Sequence, residues 1–125
     1  MADENPRMNV SFEDGIVLVE LKDHRILDEM SIMRIGEQLN ALVARSSERK
    51  AAPGPRFVID FTNVAHMSSS ALGVLITVHK RIRERQGQLR LCCIQAAIHE
   101  IFVITRLNEI FQICQTRQEA IDSLK

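Results

Sequence analysis

Three consecutive serines, Ser68-Ser69-Ser70, are the residues whose position in this chain best suits regulated chemistry. They follow an apolar stretch that ends at Phe61 and precede the helix-like sequence at 71–76. The start of a helix leaves backbone N–H groups without partners and carries a partial positive charge. A serine hydroxyl there can cap the helix, and a phosphate added to it would meet a favourable charge. The run therefore predicts either a plain helix cap or a site of regulatory phosphorylation.

The sequence around these serines gives little support for catalysis. A serine hydrolase with a nucleophile elbow has the pattern Gly-x-Ser-x-Gly, but Met67 and Ala71 occupy the glycine positions around Ser69. His66 lies three residues before Ser69, and Asp60 is the one carboxylate in view that could orient it. The five glycines form neither a Gly-x-Gly-x-x-Gly nor a Gly-Lys-Ser/Thr loop, so any nucleotide must sit on another protein. We predict that the protein is not an enzyme.

The sequence also predicts no metal site and no cofactor. The four histidines are His24, His66, His79 and His99. No two of them are spaced i, i+4, and the sequence has no Cys-x-x-Cys motif that could complete a metal site with them. Cys92 and Cys93, as neighbours in a strand, would point to opposite faces and would not hold one ion together. His79 falls at a core-facing helix position, where a packed and hydrogen-bonded histidine is expected.

The composition is that of one globular domain. Hydrophobic residues make up 46% of the 125 residues, and the formal net charge of zero offers no basic excess for nucleic acid or an anionic membrane. Three cysteines fit no disulfide framework and indicate a reducing compartment. The polar first residues are unlike a signal peptide, and no apolar run approaches the roughly 18 residues of a membrane span. We predict a cytoplasmic protein with a flexible tail at 1–7 and one domain at 8–125.

Apolar runs separated by turn signals predict four to five strands. Segments 9–12 and Ile16–Leu21 flank a Glu-Asp-Gly turn and should pair antiparallel. Segment 57–61 is almost continuously apolar, which is typical of a parallel strand buried on both faces. Segments 88–94 and 110–114 complete the set, the second as an edge strand.

Helical periodicity predicts about four helices. Asp28 is placed to cap the first helix, and the second should begin near Ser68 or Ser69 and end at a Gly87 cap. The core-facing residues expected on the second helix are Leu72, Leu75, Ile76, His79 and Ile82.

The third helix is expected at 96–107 with Asn108 as a left-handed stop, and a capping box at 116–119 opens the fourth. Strands that alternate with helices predict an α/β domain with a mixed, mostly parallel sheet.

The order of elements, and segment 57–73 in particular, resembles the STAS domain family, whose best-known members are bacterial anti-sigma factor antagonists. In that family an apolar strand ending in Asp is followed by a short loop and an Asp-Ser-Ser-Gly-Leu-Gly-like motif that opens a helix. Residues 57–60 (Phe-Val-Ile-Asp) match the strand, and residues 68–73 (Ser-Ser-Ser-Ala-Leu-Gly) match the motif. The resemblance covers most of 9–124 and implies a single STAS-like domain, with the helices packed against the sheet.

The resemblance implies an anti-sigma factor antagonist whose phosphorylated residue is Ser69, with Ser68 and Ser70 as alternatives. Unmodified, such a protein sequesters an anti-sigma factor that is also a serine kinase. Phosphorylation releases this partner, and a metal-dependent serine phosphatase removes the phosphate. Neither nucleic acid nor membrane insertion is implied. The expected partner-binding residues are Asp28, His66, Met67, Ser68, Ser70, Ala71, Leu72 and Gly73.

Two positions depart from the family motif. Ser68 stands where the family has an acidic residue before the phosphorylated serine, and Ala71 replaces a glycine, which would add a methyl group at the partner contact. The first departure keeps an alternative open, in which the domain is a non-phosphorylated STAS scaffold or adaptor subunit of a stress-signalling or transport assembly.

Overall fold

A computed structural model describes residues 8–47 and 54–125, with Ser47 described by its backbone alone. The predicted tail at 1–7 lies outside the described residues. The strands are β1 (Met8–Glu13), β2 (Ile16–Leu21), β3 (Arg25–Ile26), β4 (Arg56–Asp60), β5 (His66–Met67), β6 (Gln88–Cys92) and β7 (Gln112–Cys114). The helices are α1 (Glu29–Ser47), α2 (Ser69–Glu84), α3 (Ala96–Ile104) and α4 (Arg117–Leu124), with a short 3₁₀ turn at Leu107–Glu109.

Five of the strands form one mixed sheet in the order β1-β2-β4-β6-β7. The β1–β2 pair is antiparallel and the other three pairs are parallel. Asp14 and Gly15 have φ values of 54° and 80°, the left-handed conformation that a tight hairpin between twisted strands requires. The α/β class and the mostly parallel sheet predicted from the sequence are confirmed.

The sheet is covered on both faces. Helices α1, α2 and α3 bury the larger core against one face, to which Phe57 and Ile59 of β4 contribute. Helix α4 covers the other face, where Val58 packs with Ala120 and Ile121. Alternate residues of β4 thus enter different cores, which explains why this strand is apolar almost throughout.

One of the core-facing positions predicted on α2, Ile76, is wrong. Ile76 is 40% exposed, whereas Val78 is completely buried, because the buried positions follow the helical period through Leu75 and Ile82. His79 is half-buried against Phe111, with the ring centres 5.1 Å apart. The expected packing is present, but its Nδ1 atom is buried without a hydrogen-bond partner. Burial, assisted by the charge of Arg83, lowers the pKa of His79.

Left-handed residues end three elements at positions other than those predicted. The αL residue after α2 is Gln86 (φ 58°), and Gly87 follows it, where a side chain would overlap the carbonyl oxygen of Pro55. The αL residue after α3 is Arg106 (φ 64°) rather than Asn108. Cys93 (φ 60°) ends β6 two residues earlier than expected.

Candidate functional site

Ser68 is the N-cap of α2. It has extended backbone angles, and its Oγ accepts a hydrogen bond from the Ala71 N–H at 3.3 Å. Its own N–H donates to the carbonyl oxygen of Ile26 in β3 at 3.1 Å, which fixes the start of the helix to the neighbouring segment. Ser68 is half-buried and performs the capping role that an acidic residue can also fill.

Ser69 is the first residue of α2 and is exposed. Ser70, also exposed, donates a long hydrogen bond of 3.5 Å to the Glu29 carboxylate in the first turn of α1. The first turn of α2 contains no acidic residue, so the partial positive charge of the helix start is not neutralised within the helix. Ser69 therefore stands open to solvent at a helix start.

Two short parallel strands, β3 and β5, hold the segment that leads into α2. Arg25 is the register partner of His66, and the N–H groups of Ala65 and His66 donate to the carbonyl oxygen of His24 at 2.8 and 3.2 Å. The rings of His24 and His66 meet edge to face with their centres 6.0 Å apart. Both side chains and that of Arg25 are exposed near the start of α2. Sequence reasoning missed His24 and Arg25 as neighbours of this site, because two-residue strands leave no periodic signal.

Asp28 caps α1 as predicted. Its carboxylate accepts hydrogen bonds from the N–H of Ser31 at 3.0 Å and from the Ser31 hydroxyl at 2.7 Å. The side chain of the next residue, Glu29, contacts the serine run through Ser70, and no sequence pattern had singled it out.

Two of the expected partner-binding residues have buried side chains. Ala71 is 4% exposed and Leu72 is 6% exposed, and both pack in the larger core. The expectation that the methyl group of Ala71 faces a partner is therefore wrong, since it points into the protein. Met67 is half-buried and packs against the same core.

Gly73, by contrast, is exposed, and a Cβ placed there would have no neighbour within 4 Å. We call Ser69, Ser70 and Gly73, together with Glu29 and His66, the helix-start surface. Helices α1 and α2 also expose apolar side chains, at Met30, Met33 and Ile76.

Asp60, at the end of β4, is engaged away from the helix-start surface. One carboxylate oxygen accepts hydrogen bonds from the N–H and hydroxyl of Thr62, and the other accepts from the Nε and a terminal nitrogen of Arg117 at 3.1 and 3.0 Å. Burial alone would raise the pKa of Asp60, but the Thr62 and Arg117 contacts outweigh burial and lower it. The carboxylate therefore joins β4 to α4 as an ionised group, and these contacts do not orient His66.

Cys92 and Cys93 lie on the same side of the sheet, contrary to the sequence expectation. Both pack against the core under α4, whereas Ile94 packs against the opposite core. The reason is the left-handed conformation of Cys93, which interrupts the alternation of a strand. The two sulfur atoms and a carboxylate oxygen of Asp60 all lie within 4.8 Å of one another.

Within 8–47 and 54–125, no helix has both the length and the apolar character that crossing a membrane requires.

Comparison with known proteins identifies the family. The sequence model of the STAS domain matches residues 8–120. The chain belongs to the STAS domain family. A Bordetella bronchiseptica protein named as a candidate anti-sigma factor antagonist, BtrV, is 32% identical over 89 residues, which cover 71% of this chain and 74% of that protein. The anti-sigma F factor antagonist of Paenibacillus polymyxa is 25% identical over 124 residues, 97% of each chain.

The fold of this STAS domain also matches a solved structure. An anti-sigma-factor antagonist (STAS) domain protein from Planctomyces limnophilus superposes with a TM-score of 0.80 at 24% identity, over 94% of this chain and 97% of that one. This likeness confirms the STAS-like fold.

Proposed function

We propose that this STAS domain protein is an anti-sigma factor antagonist, a binding module that captures an anti-sigma factor while Ser69 is unmodified. The names of the Bordetella and Paenibacillus relatives support the proposal, and the second of them aligns over nearly its whole length. The observation that carries the proposal is the exposed Ser69 at the first position of α2, beside the exposed Gly73. The role is one of binding and requires no catalysis by this chain.

The contacts of the three serines favour Ser69 as the modified residue. The hydroxyl of Ser68 already caps α2 and is half-buried. A phosphate on Ser70 would lie against the carboxylate of Glu29, and like charges at that distance repel. Ser69 is exposed at a helix start with no acidic residue in its first turn, where added negative charge is favoured by about 0.3–1 kcal/mol.

Phosphorylation would act on docking and leave the fold unchanged. A phosphoserine carries about −1.5 to −2 charges at pH 7, and an exposed site keeps them in water while the protein is free. A partner that covers Ser69 would have to desolvate that charge. A penalty of about 4 kcal/mol, modest for a buried unpaired charge, weakens binding roughly a thousandfold.

The same proposal assigns the chemistry to other proteins. The sequence contains no phosphate-binding glycine loop, so the anti-sigma factor would supply the kinase activity and the ATP. A metal-dependent serine phosphatase would restore the unmodified form. A cytoplasmic location belongs to this proposal, since sigma factors act on RNA polymerase there.

The contacts of Asp60 argue against the hydrolase alternative, in which this carboxylate would orient His66. Asp60 is held by Thr62 and Arg117, and the ring of His66 meets His24. A Ser-His-Asp relay requires the carboxylate to hydrogen-bond the histidine, and the described contacts of Asp60 lead elsewhere.

The test is incubation of the full chain with its cognate anti-sigma kinase and Mg-ATP, followed by peptide mass spectrometry. We expect one phosphate on Ser69 in the natural chain and in Ser70→Ala, the matched control, and no phosphate in Ser69→Ala. The complex should dissociate in ATP in the first two cases and persist in the third. A stable complex with no phosphate on the natural chain would instead favour the scaffold or adaptor alternative.

A further inference from the structure

We propose that Cys92 and Cys93 form a two-thiolate site for a soft monovalent metal ion, Cu(I), on the face of the sheet covered by α4. This site lies across the sheet from α2 and Ser69, and it is independent of the phosphorylation proposal. Two observations carry it: the separation of the sulfur atoms and the fixed positions of the neighbouring groups.

The geometry brings the two sulfur atoms within reach of one ion. They lie within 4.8 Å of each other. Metal–thiolate bonds are about 2.3 Å long in zinc sites, so two such bonds placed opposite each other span about 4.6 Å. A span of this length falls within the 4.8 Å limit, and the half-buried Cys93 is the side chain that would adjust to an ion between the sulfurs. The left-handed backbone of Cys93, uncommon outside glycine, creates this arrangement.

The nearby carboxylate is not available as a third ligand. Both oxygens of Asp60 already accept hydrogen bonds, from Thr62 and from Arg117. A zinc ion normally takes four ligands, and two thiolates alone leave that set incomplete. Thiolates prefer soft ions, among which Cu(I) is prominent. The donor set thus favours a monovalent soft ion of low coordination number.

The charges around the site set what binding would have to overcome. Two thiolates and Cu(I) carry a net charge of −1, and the Arg117 guanidinium beside them is positive while paired with Asp60. Burial, the neighbouring Cys93 and Asp60 all raise the pKa of the Cys92 thiol, and Arg117 opposes only part of that shift, so Cu(I) would have to displace the thiol protons. Cys92 is completely buried, so an ion would enter past Cys93 and Arg117, which are both partly exposed. An entry path, two ligands and a fixed surrounding shell are the features expected of a metal site.

The third cysteine provides a matched control. Cys114 is the register partner of Cys92 on β7 and is half-buried, like Cys93. The group of sulfur and carboxylate atoms that lie mutually within 4.8 Å does not include it. Cys93→Ser and Cys114→Ser therefore remove the same atom type at a similar depth, one inside the proposed site and one beside it.

The experiment is an anaerobic titration of the reduced full chain with Cu(I) in the presence of a chromophoric Cu(I) chelator. Native mass spectrometry gives the stoichiometry, and circular dichroism confirms that each variant is folded. We expect one Cu(I) per chain. Cys93→Ser should weaken binding by more than the roughly 10- to 100-fold typical of losing a residue that only orients a ligand. Cys114→Ser should retain the natural affinity within a few-fold.

Three results would overturn the assignment. The first is undiminished Cu(I) affinity in folded Cys93→Ser. The second is an equal loss of affinity in Cys93→Ser and Cys114→Ser. The third is Zn²⁺ displacing Cu(I) at equal concentration. A Ser69→Ala chain should bind Cu(I) with the affinity of the natural chain. Loss of Cu(I) binding and loss of the phosphorylation switch can therefore be told apart.

Discussion

Replacing Gly73 by alanine should stabilise the protein and weaken its partner binding. Gly73 lies in the interior of α2 without a positive φ, and a Cβ there would meet no atom within 4 Å. Glycine in a helix interior is about 0.8–1.0 kcal/mol less favourable than alanine. Because the new methyl group neither clashes nor packs, nearly all of that difference should appear as an increase in the free energy of unfolding. For a domain of this size the expected rise in Tm is about 3–5 °C.

Gly36 of α1 supplies the control for this reasoning. A Cβ at Gly36 would lie 3.3 Å from Cγ1 of Val74, and the position is buried between the two helices. The same helix preference applies there, but the tight contact with Val74 offsets it. Gly36→Ala should therefore gain less stability than Gly73→Ala, or lose some. Urea denaturation of both variants and the natural chain measures the difference.

The binding half of the prediction tests the helix-start surface. If a partner docks over Ser69 and Gly73, the added methyl group should lower affinity for the cognate anti-sigma factor, as measured by calorimetry, in a protein that is more stable than the natural one. A destabilised Gly73→Ala would refute the assignment of Gly73 to an unstrained, open position in the interior of α2. Undiminished affinity in a stabilised Gly73→Ala would refute the placement of Gly73 in the interface.

Two further predictions concern the caps and the buried carboxylate. Ser68→Ala should lower the free energy of unfolding by about 1 kcal/mol, because it removes the N-cap of α2. Ser69→Ala should change that free energy by less than about 0.5 kcal/mol. Equal effects of the two substitutions in urea denaturation would contradict the assigned roles. Asp60→Asn should cost about 1.5–3 kcal/mol through weakened bonds to Thr62 and Arg117. Because the pKa of Asp60 is lowered below 3.8 in the folded protein, its contribution is complete above the unfolded value and lost as pH falls through the folded one. The natural chain should therefore lose more stability than Asp60→Asn on acidification below about pH 4, and parallel pH profiles would contradict this.

Much of the fold follows from local sequence signals. The strand at Ile16–Leu21, the Asp28 cap, and the start of α2 at the serine run were predictable because hydrophobic alternation and capping depend on residues close together in the chain. The opening of Ser69 to solvent belongs to the same class, since the first residue of a helix has few neighbours of its own.

Other features depended on which segments meet in space. The pairing of β3 with β5 brings His24 to His66 across more than 40 residues of sequence, and no periodicity marks strands of two residues. The burial of Ala71, by contrast, follows the helical period that runs through Leu75, Val78 and Ile82, so this position could have been assigned to the core from the sequence.

The thiols show the difference between the two levels most clearly. The alternation of a regular strand sends Cys92 and Cys93 apart, and the sequence alone could predict nothing else. One left-handed residue at the end of β6, set where the chain leaves the sheet for α3, returns both sulfurs to the face under α4 beside Asp60 and Arg117. Local propensity fixes the elements of this protein, and the packing of their ends decides which side chains share a site.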